Sequence, residues 1–195
     1  MSNTGLASPL LGIRPWWRQK WLTTVAQLLL LVTVGLVAAL GKSLTPGLGI
    51  SGSSAPLWLG PLVLGRLLVR KSGAGSIAGA SMALWAIPIG LNHTFGYNLG
   101  LYAGTGLALD IFAGLPFVNV LHLLGAIGIG MAAHLVKFGF ILYAALATSV
   151  TKRFILNGIA KSAGQHLLFG AAAGLLAWAA YWGGRRIYRK TRGLV

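Results

Sequence analysis

The chain has 195 residues, of which 56% are hydrophobic and only 9% charged, and its mean hydropathy is +0.78. Soluble domains carry about 25% charged residues, so a soluble globular enzyme is excluded. Sixteen Lys and Arg face a single acid, Asp110, and there is no Cys. This composition rules out paired-carboxylate catalysis, a carboxylate cage for Mg²⁺ or Ca²⁺, disulfides, thiol nucleophiles and thiolate metal sites.

A net charge of +15 would suggest nucleic acid in a soluble protein. Here the basic residues flank apolar stretches, where they report membrane orientation, and no nucleic-acid partner is expected. Residues 1–20 form a basic, aromatic N-terminal segment with Arg14, Arg18 and Lys20 around Trp16 and Trp17. Trp21 to Gly41 follows without a charge. It is too long for the roughly 7–15 residues of a signal-peptide core, and long enough at about 1.5 Å per residue to span a bilayer. This is predicted helix 1.

Lys42 to Ala55, rich in Gly, Ser and Pro, is predicted to be a loop. Pro56 to Arg70 is a short apolar helix 2, and Ser72 to Leu91 is helix 3. Asn92 to Asn98 is a polar, aromatic loop. Leu99 to Leu115, carrying Asp110, is helix 4, and helix 5 lies within Val118 to Val150, interrupted by His122, His134 and Lys137. Thr151 to Lys161 is a basic loop, Ser162 to Gly184 is helix 6, and residues 185–195 are a basic tail. The expected fold is therefore an all-α integral membrane protein: a six-transmembrane-helix bundle over residues 21–184, with both termini cytoplasmic. Lys and Arg concentrate on the cytoplasmic side of membrane proteins. Eleven basic residues support the assignment: Arg14, Arg18, Lys20, Arg66, Arg70, Lys71 and the five of the tail. Lys42, Lys152, Arg153 and Lys161 oppose it.

Small residues recur at every fourth position: Gly35 and Ala39; Gly75, Gly79 and Ala83; Gly100, Gly104 and Ala108; Gly170 and Gly174. Such stripes let helix backbones approach closely in lipid, either within the chain or against a partner. Asp110 is an ionisable group in a span, and such groups are functional or paired; Arg66 and Arg70 are the available partners, and capping a turn is the other structural role. His134 and Lys137 share a face of helix 5. They point into a polar cavity that holds an anionic or carbonyl-bearing ligand, or Lys137 reaches the interface because the helix is tilted. Trp58, Trp85, Phe95 and Tyr97 serve as stacking residues or as an interfacial aromatic belt. No GxGxxG, Walker A, HExxH or GxSxG constellation occurs, so no catalytic residue, metal or cofactor is assigned and enzymatic activity is not expected.

The order of pieces resembles the substrate-binding S components of energy-coupling factor (ECF) vitamin transporters. Three stretches carry the resemblance: LGPLVLGRLLVRKSGAGSIAGASMAL, GTGLALDIFAGLP and HLLFGAAAGLLAWAAYWGGRRIYRK. The resemblance implies a membrane-embedded subunit of an ABC-type importer in a bacterial or archaeal cell membrane. It would capture a vitamin-like small molecule from outside, with an ECF T subunit and ATPase subunits as partners and lipid around it. It also implies docking of the T subunit by the helix 1 stripe, Gly35, Ala38 and Ala39, where a Gly stands in place of the family's first alanine. The loops Lys42 to Ala55 and Asn92 to Asn98 would close the pocket. Joined to the reading of Lys137, this makes Asn92, His93, Tyr97, Asn98, His134 and Lys137 the expected substrate-binding residues. The only acid lies in the other half of the bundle, so an anionic or carbonyl-rich ligand suits them better than a cation. Two other functions stand beside this one: a structural or assembly subunit of a larger membrane complex, and a membrane redox subunit with haem on His134 and His166.

Overall fold

A computed structural model describes residues 16–45, 50–91, 94–147 and 152–193. Among these residues the chain is entirely helical, with no strand. Helices α1 (Trp16–Ser43), α2 (Ala55–Leu68) and α3 (Ala74–Trp85) are followed by a helical rod in three parts: α4 (Phe95–Asn98), a π-helical turn (Leu99–Ala103) and α5 (Gly104–Ala113). Helices α6 (Leu123–Ala147) and α7 (Lys152–Thr191) complete the order. Three stretches are long and apolar enough to cross a membrane: Leu22–Ser43, Leu123–Ala147 and Gly158–Thr191.

Several boundaries differ from the sequence expectation, each for a local reason. Helix α1 begins at Trp16, because the polar residues Arg18, Gln19 and Lys20 are good helix formers. Helix α3 stops at Trp85, short of Leu91. Pro88 disfavours helical backbone at the residue before it, and Gly90 takes a left-handed turn at φ 73°. Helix α7 runs through the expected basic loop and most of the expected tail, to Thr191. No proline and only one glycine, Gly158, occur in those segments, and Arg189 and Lys190 in the last turn favour the negative end of the helix dipole.

Helix α2 has Pro56 as its second residue and contains Pro61. Pro56 sits in the first turn, where its missing N–H costs nothing. Pro61 leaves the Leu57 carbonyl without its helical donor. Gly41 of α1 lies against that oxygen so closely that a Cβ would collide with it. The proline on one helix and the glycine on its neighbour thus match.

The small-residue stripes are internal seams. A Cβ on Gly170 would stand 2.9 Å from Met131 Cα and 3.0 Å from His134 Cβ, and one on Gly174 would stand 2.8 Å from Ile127 Cα. These glycines set the α6–α7 contact, the most extensive in the fold. Across α3 and α5, Gly75 and Gly79 face Gly106. The expected Gly100 and Gly104 pair is split: Gly100 meets Phe140 of α6, whereas Gly104 faces open space. The π turn between them carries an extra residue and rotates the two glycines onto different faces.

The helix 1 stripe is corrected in the same way. Ala38 and Ala39 are fully buried. A Cβ on Gly35 would lie 2.6 Å from Ser81 Cβ of α3, next to the hydrogen bond that Ser81 Oγ donates to the Val32 carbonyl, 3.0 Å. Gly35 is spent on α3, and Ala38 and Ala39 are buried inside the bundle, so none of the three lies on its surface. Gly35→Leu is accordingly expected to unfold the isolated chain, because overpacking a tight contact costs about 1–3 kcal/mol or more. A wild-type melting curve for the purified variant in detergent would return the stripe to the surface.

Arg70, Lys71 and Arg185 lie at one end of the bundle. Arg70 Nη2 donates to the Tyr181 hydroxyl at 2.9 Å, and the Arg185 guanidinium packs over the rings of Tyr181 and Trp182 at 5.8 and 5.1 Å. Thr24 and Gln27, early in α1, share a cavity of about 150 Å³ with Val69 and Lys71. The opposite end carries Lys42, whose Nζ donates to Ser54 Oγ at 2.9 Å.

Candidate functional site

Two buried polar clusters lie in the bundle, one toward each end. The first is built on Asp110. Helix α3 starts after Gly73, which takes φ 85° and has no side chain to cap the free N–H groups of the first turn. Asp110 of α5 supplies the missing acceptors: Gly75 N–H donates to Oδ1 at 3.0 Å, and Ser76 N–H and Oγ both donate to Oδ2 at 2.8 Å. Arg66 Nε of α2 completes the set, 3.0 Å from Oδ1, with both side chains under a tenth exposed. One carboxylate therefore joins three helices. Of the readings open for Asp110, the ion pair with Arg66 and the cap hold together, and this cluster is structural.

The second cluster surrounds Trp58 of α2, which is fully buried. Lys137 Nζ of α6 stands 4.1 Å from the centre of its indole. His134, one turn earlier, meets the same indole edge-on at 5.7 Å, and Tyr102 of the π turn meets it at 5.7 Å from another side. His166 of α7 packs on His134 with ring centres 4.6 Å apart. Gly52, at φ 81°, closes one side; a Cβ there would lie 2.8 Å from His134 Cε1. The left-handed conformation and the close approach both call for glycine.

Hydrogen bonding fixes the imidazoles. The His166 carbonyl is 2.8 Å from His134 Nδ1, and the Ser162 carbonyl is 2.8 Å from His166 Nδ1. A carbonyl only accepts, so each Nδ1 carries the proton. His134 Nε2 and Trp58 Nε1 are buried and have no partner. Lys137 has no carboxylate, since Asp110 is held by Arg66.

Magnitudes show how Lys137 is tolerated. A charge at the centre of a span costs about 2.5–3.5 kcal/mol on insertion scales, and a desolvated cation–π contact returns about 2 kcal/mol. The Trp58 face offsets most of that cost. Lys137 lies ten residues before the end of α6, about 15 Å along the axis, and it is buried. It therefore points into the bundle and does not reach for the interface.

The sequence-expected residues divide as follows. His134 and Lys137 are both in the cluster. Tyr97 and Asn98 lie on α4, not in a loop; Tyr97 packs edge-on against Phe140 of α6 at 5.4 Å, and Asn98 is fully buried. Asn92 and His93 lie outside the described residues. Trp58, one of four aromatics with two open readings, is the centre of the cluster, whereas Trp85 and Phe95 are exposed. Tyr102, Gly52 and the Lys42–Ser54 pair were not foreseen. Nothing in their local sequence marks them, because they meet only when α2, the π turn, α6 and α7 converge.

The haem reading fails on geometry: the imidazoles of His134 and His166 are in direct contact at a 39° tilt, with no gap for a macrocycle between them. Among the described residues, no three His, Asp or Glu side chains converge as a metal site would require. No protein-family model, curated protein or solved structure matches this chain.

Proposed function

We propose that this chain is the membrane-embedded substrate-binding subunit of an ECF-type importer, taking up a small vitamin-like molecule from the outer face. The observation that carries this reading is the buried polar cluster of Trp58, His134, Lys137 and Tyr102, whose amine, unlike the Arg66 guanidinium, has no carboxylate beside it. A scaffold has no need of a buried amine; a binding subunit uses one to hold a carboxylate or carbonyl. In this reading the bundle crosses the membrane six times, and the end bearing Arg70, Lys71 and Arg185 is cytoplasmic, in keeping with the distribution of basic residues. The site then lies in the outer half, under the turn that carries Gly52. With the α1 stripe buried, the T subunit docks on another face.

The experiment is native mass spectrometry of the purified chain, to find a small molecule that survives purification. Lys137→Met is expected to leave melting of the empty protein unchanged and to lower occupancy at least tenfold, about 1.4 kcal/mol. Equal occupancy in the variant would remove Lys137 from the site. The chain has no Cys, so single cysteines report orientation cleanly. Ser53→Cys should react with an impermeant maleimide in intact cells and Thr191→Cys should not; the reverse labelling would overturn the orientation and the outer position of the site. The competing reading, an assembly subunit without a ligand, draws on the tight closure of the cluster, with Trp58 and His134 fully buried. It predicts that no molecule co-purifies.

A further inference from the structure

The donors and acceptors around Trp58 specify more than a negative charge. His134 Nδ1 is committed to the His166 carbonyl at 2.8 Å. Its neutral ring therefore offers a bare lone pair at Nε2, an acceptor, and that atom has no partner. Trp58 Nε1 offers only a proton and is also unpartnered. Lys137 Nζ, 4.1 Å from the same indole centre, likewise offers only protons. Lys137 and His134 both pack against the indole that carries Trp58 Nε1. Leaving a buried polar atom unsatisfied costs about 1–3 kcal/mol, and two such atoms beside one amine mark a place built for a polar guest. The charged groups facing the cluster are cations: Lys137 itself and Lys42, which reaches Ser54 beside the Gly52 turn.

We infer that the ligand of this site is a small organic anion that also carries an O–H or N–H donor, its negative oxygen received by Lys137 and Trp58 and its donor by His134 Nε2. This rests on the binding-subunit reading and narrows it: an anion without a donor would leave Nε2 unsatisfied, and a neutral donor would leave Lys137 uncompensated. The Gly52 turn must shift for the ligand to enter, since a single added carbon at Gly52 would already touch His134.

The test has two arms. In the first, ¹⁵N NMR of protein labelled at histidine reads the tautomer, with the His134 signal assigned by its loss in His134→Phe. The expected state is a proton on Nδ1 and none on Nε2; a proton on Nε2 of neutral His134 overturns the inference. In the second, calorimetry in detergent compares 4-hydroxybenzoate, benzoate and phenol. We expect 4-hydroxybenzoate to bind at least tenfold more tightly than either of the others. His134→Phe should erase its advantage over benzoate, and Lys137→Met should weaken both anions. Benzoate binding as well as 4-hydroxybenzoate, an advantage that survives His134→Phe, or no binding of any probe would each overturn the donor requirement. If both anions bind Lys137→Met as tightly as wild type, the site itself fails, and with it the functional reading. That outcome is distinct from loss of the donor preference alone.

Discussion

Asp110→Ala is expected to be the most damaging single substitution in the chain. It removes the acceptor of three hydrogen bonds and the partner of a buried guanidinium at once. Breaking a buried pair from one side costs about 3–5 kcal/mol, chiefly because the remaining charge is left uncompensated. Arg66 would be that charge, at 6% exposure. The check is thermal or SDS-induced unfolding of the purified protein. A second variant separates the causes: Asp110→Asn combined with Arg66→Met should be more stable than Asp110→Asn alone, since no unpaired charge remains. If Asp110→Ala melts like wild type, the three-helix junction does not support the fold. If the double variant is no better than the single, the capping of α3 outweighs the ion pair.

Gly174→Leu should come close to it in effect. The Gly174 site faces backbone: Ile127 Cα would be 2.8 Å from an added Cβ, and the Ala126 carbonyl nearer still. Backbone cannot move aside as a side chain does, so α6 and α7 would have to separate. Overpacking ordinarily costs about 1–3 kcal/mol, occasionally more, and this contact is the most extensive in the bundle. Its expected signature extends beyond stability. His134 and His166 sit on the same seam, so spreading it should also abolish the stacked imidazole contact and the His134 tautomer preference. Gly164→Leu is the control, because a Cβ there meets nothing within 4 Å, and it should melt like wild type. Equal melting of Gly174→Leu and Gly164→Leu would show that the seam tolerates separation.

The local sequence decides a great deal in this protein. Long apolar runs must be helical where backbone groups have no water to bond, and so the cores of α1, α6 and α7 are legible from apolar length alone. Proline marks the start of α2, whereas the sequence expectation carries helix 3 on to Leu91, past its end at Trp85. A lone acid among sixteen cations must find one of them, and Arg66 was among its readable partners. Small residues four apart announce close helix contacts, and His134 and Lys137 share a face by spacing alone.

Which contacts those residues make was decided only by tertiary structure. The Gly35 stripe is chemically suited to a partner helix or to α3, and the choice depends on where α3 lies, which no local pattern encodes. The π turn at Leu99–Ala103 rotated one glycine pair out of register, and Gly106 took up the α3 contact instead. Asp110 caps a helix thirty-five positions earlier in sequence, because Gly73 left that helix without a cap of its own. Trp58 became the centre of a site when Lys137, His134 and Tyr102 arrived from two other elements. Periodicity states which face of a helix is apolar or small, whereas helix packing decides what meets it, and a buried polar cluster exists only at the meeting point.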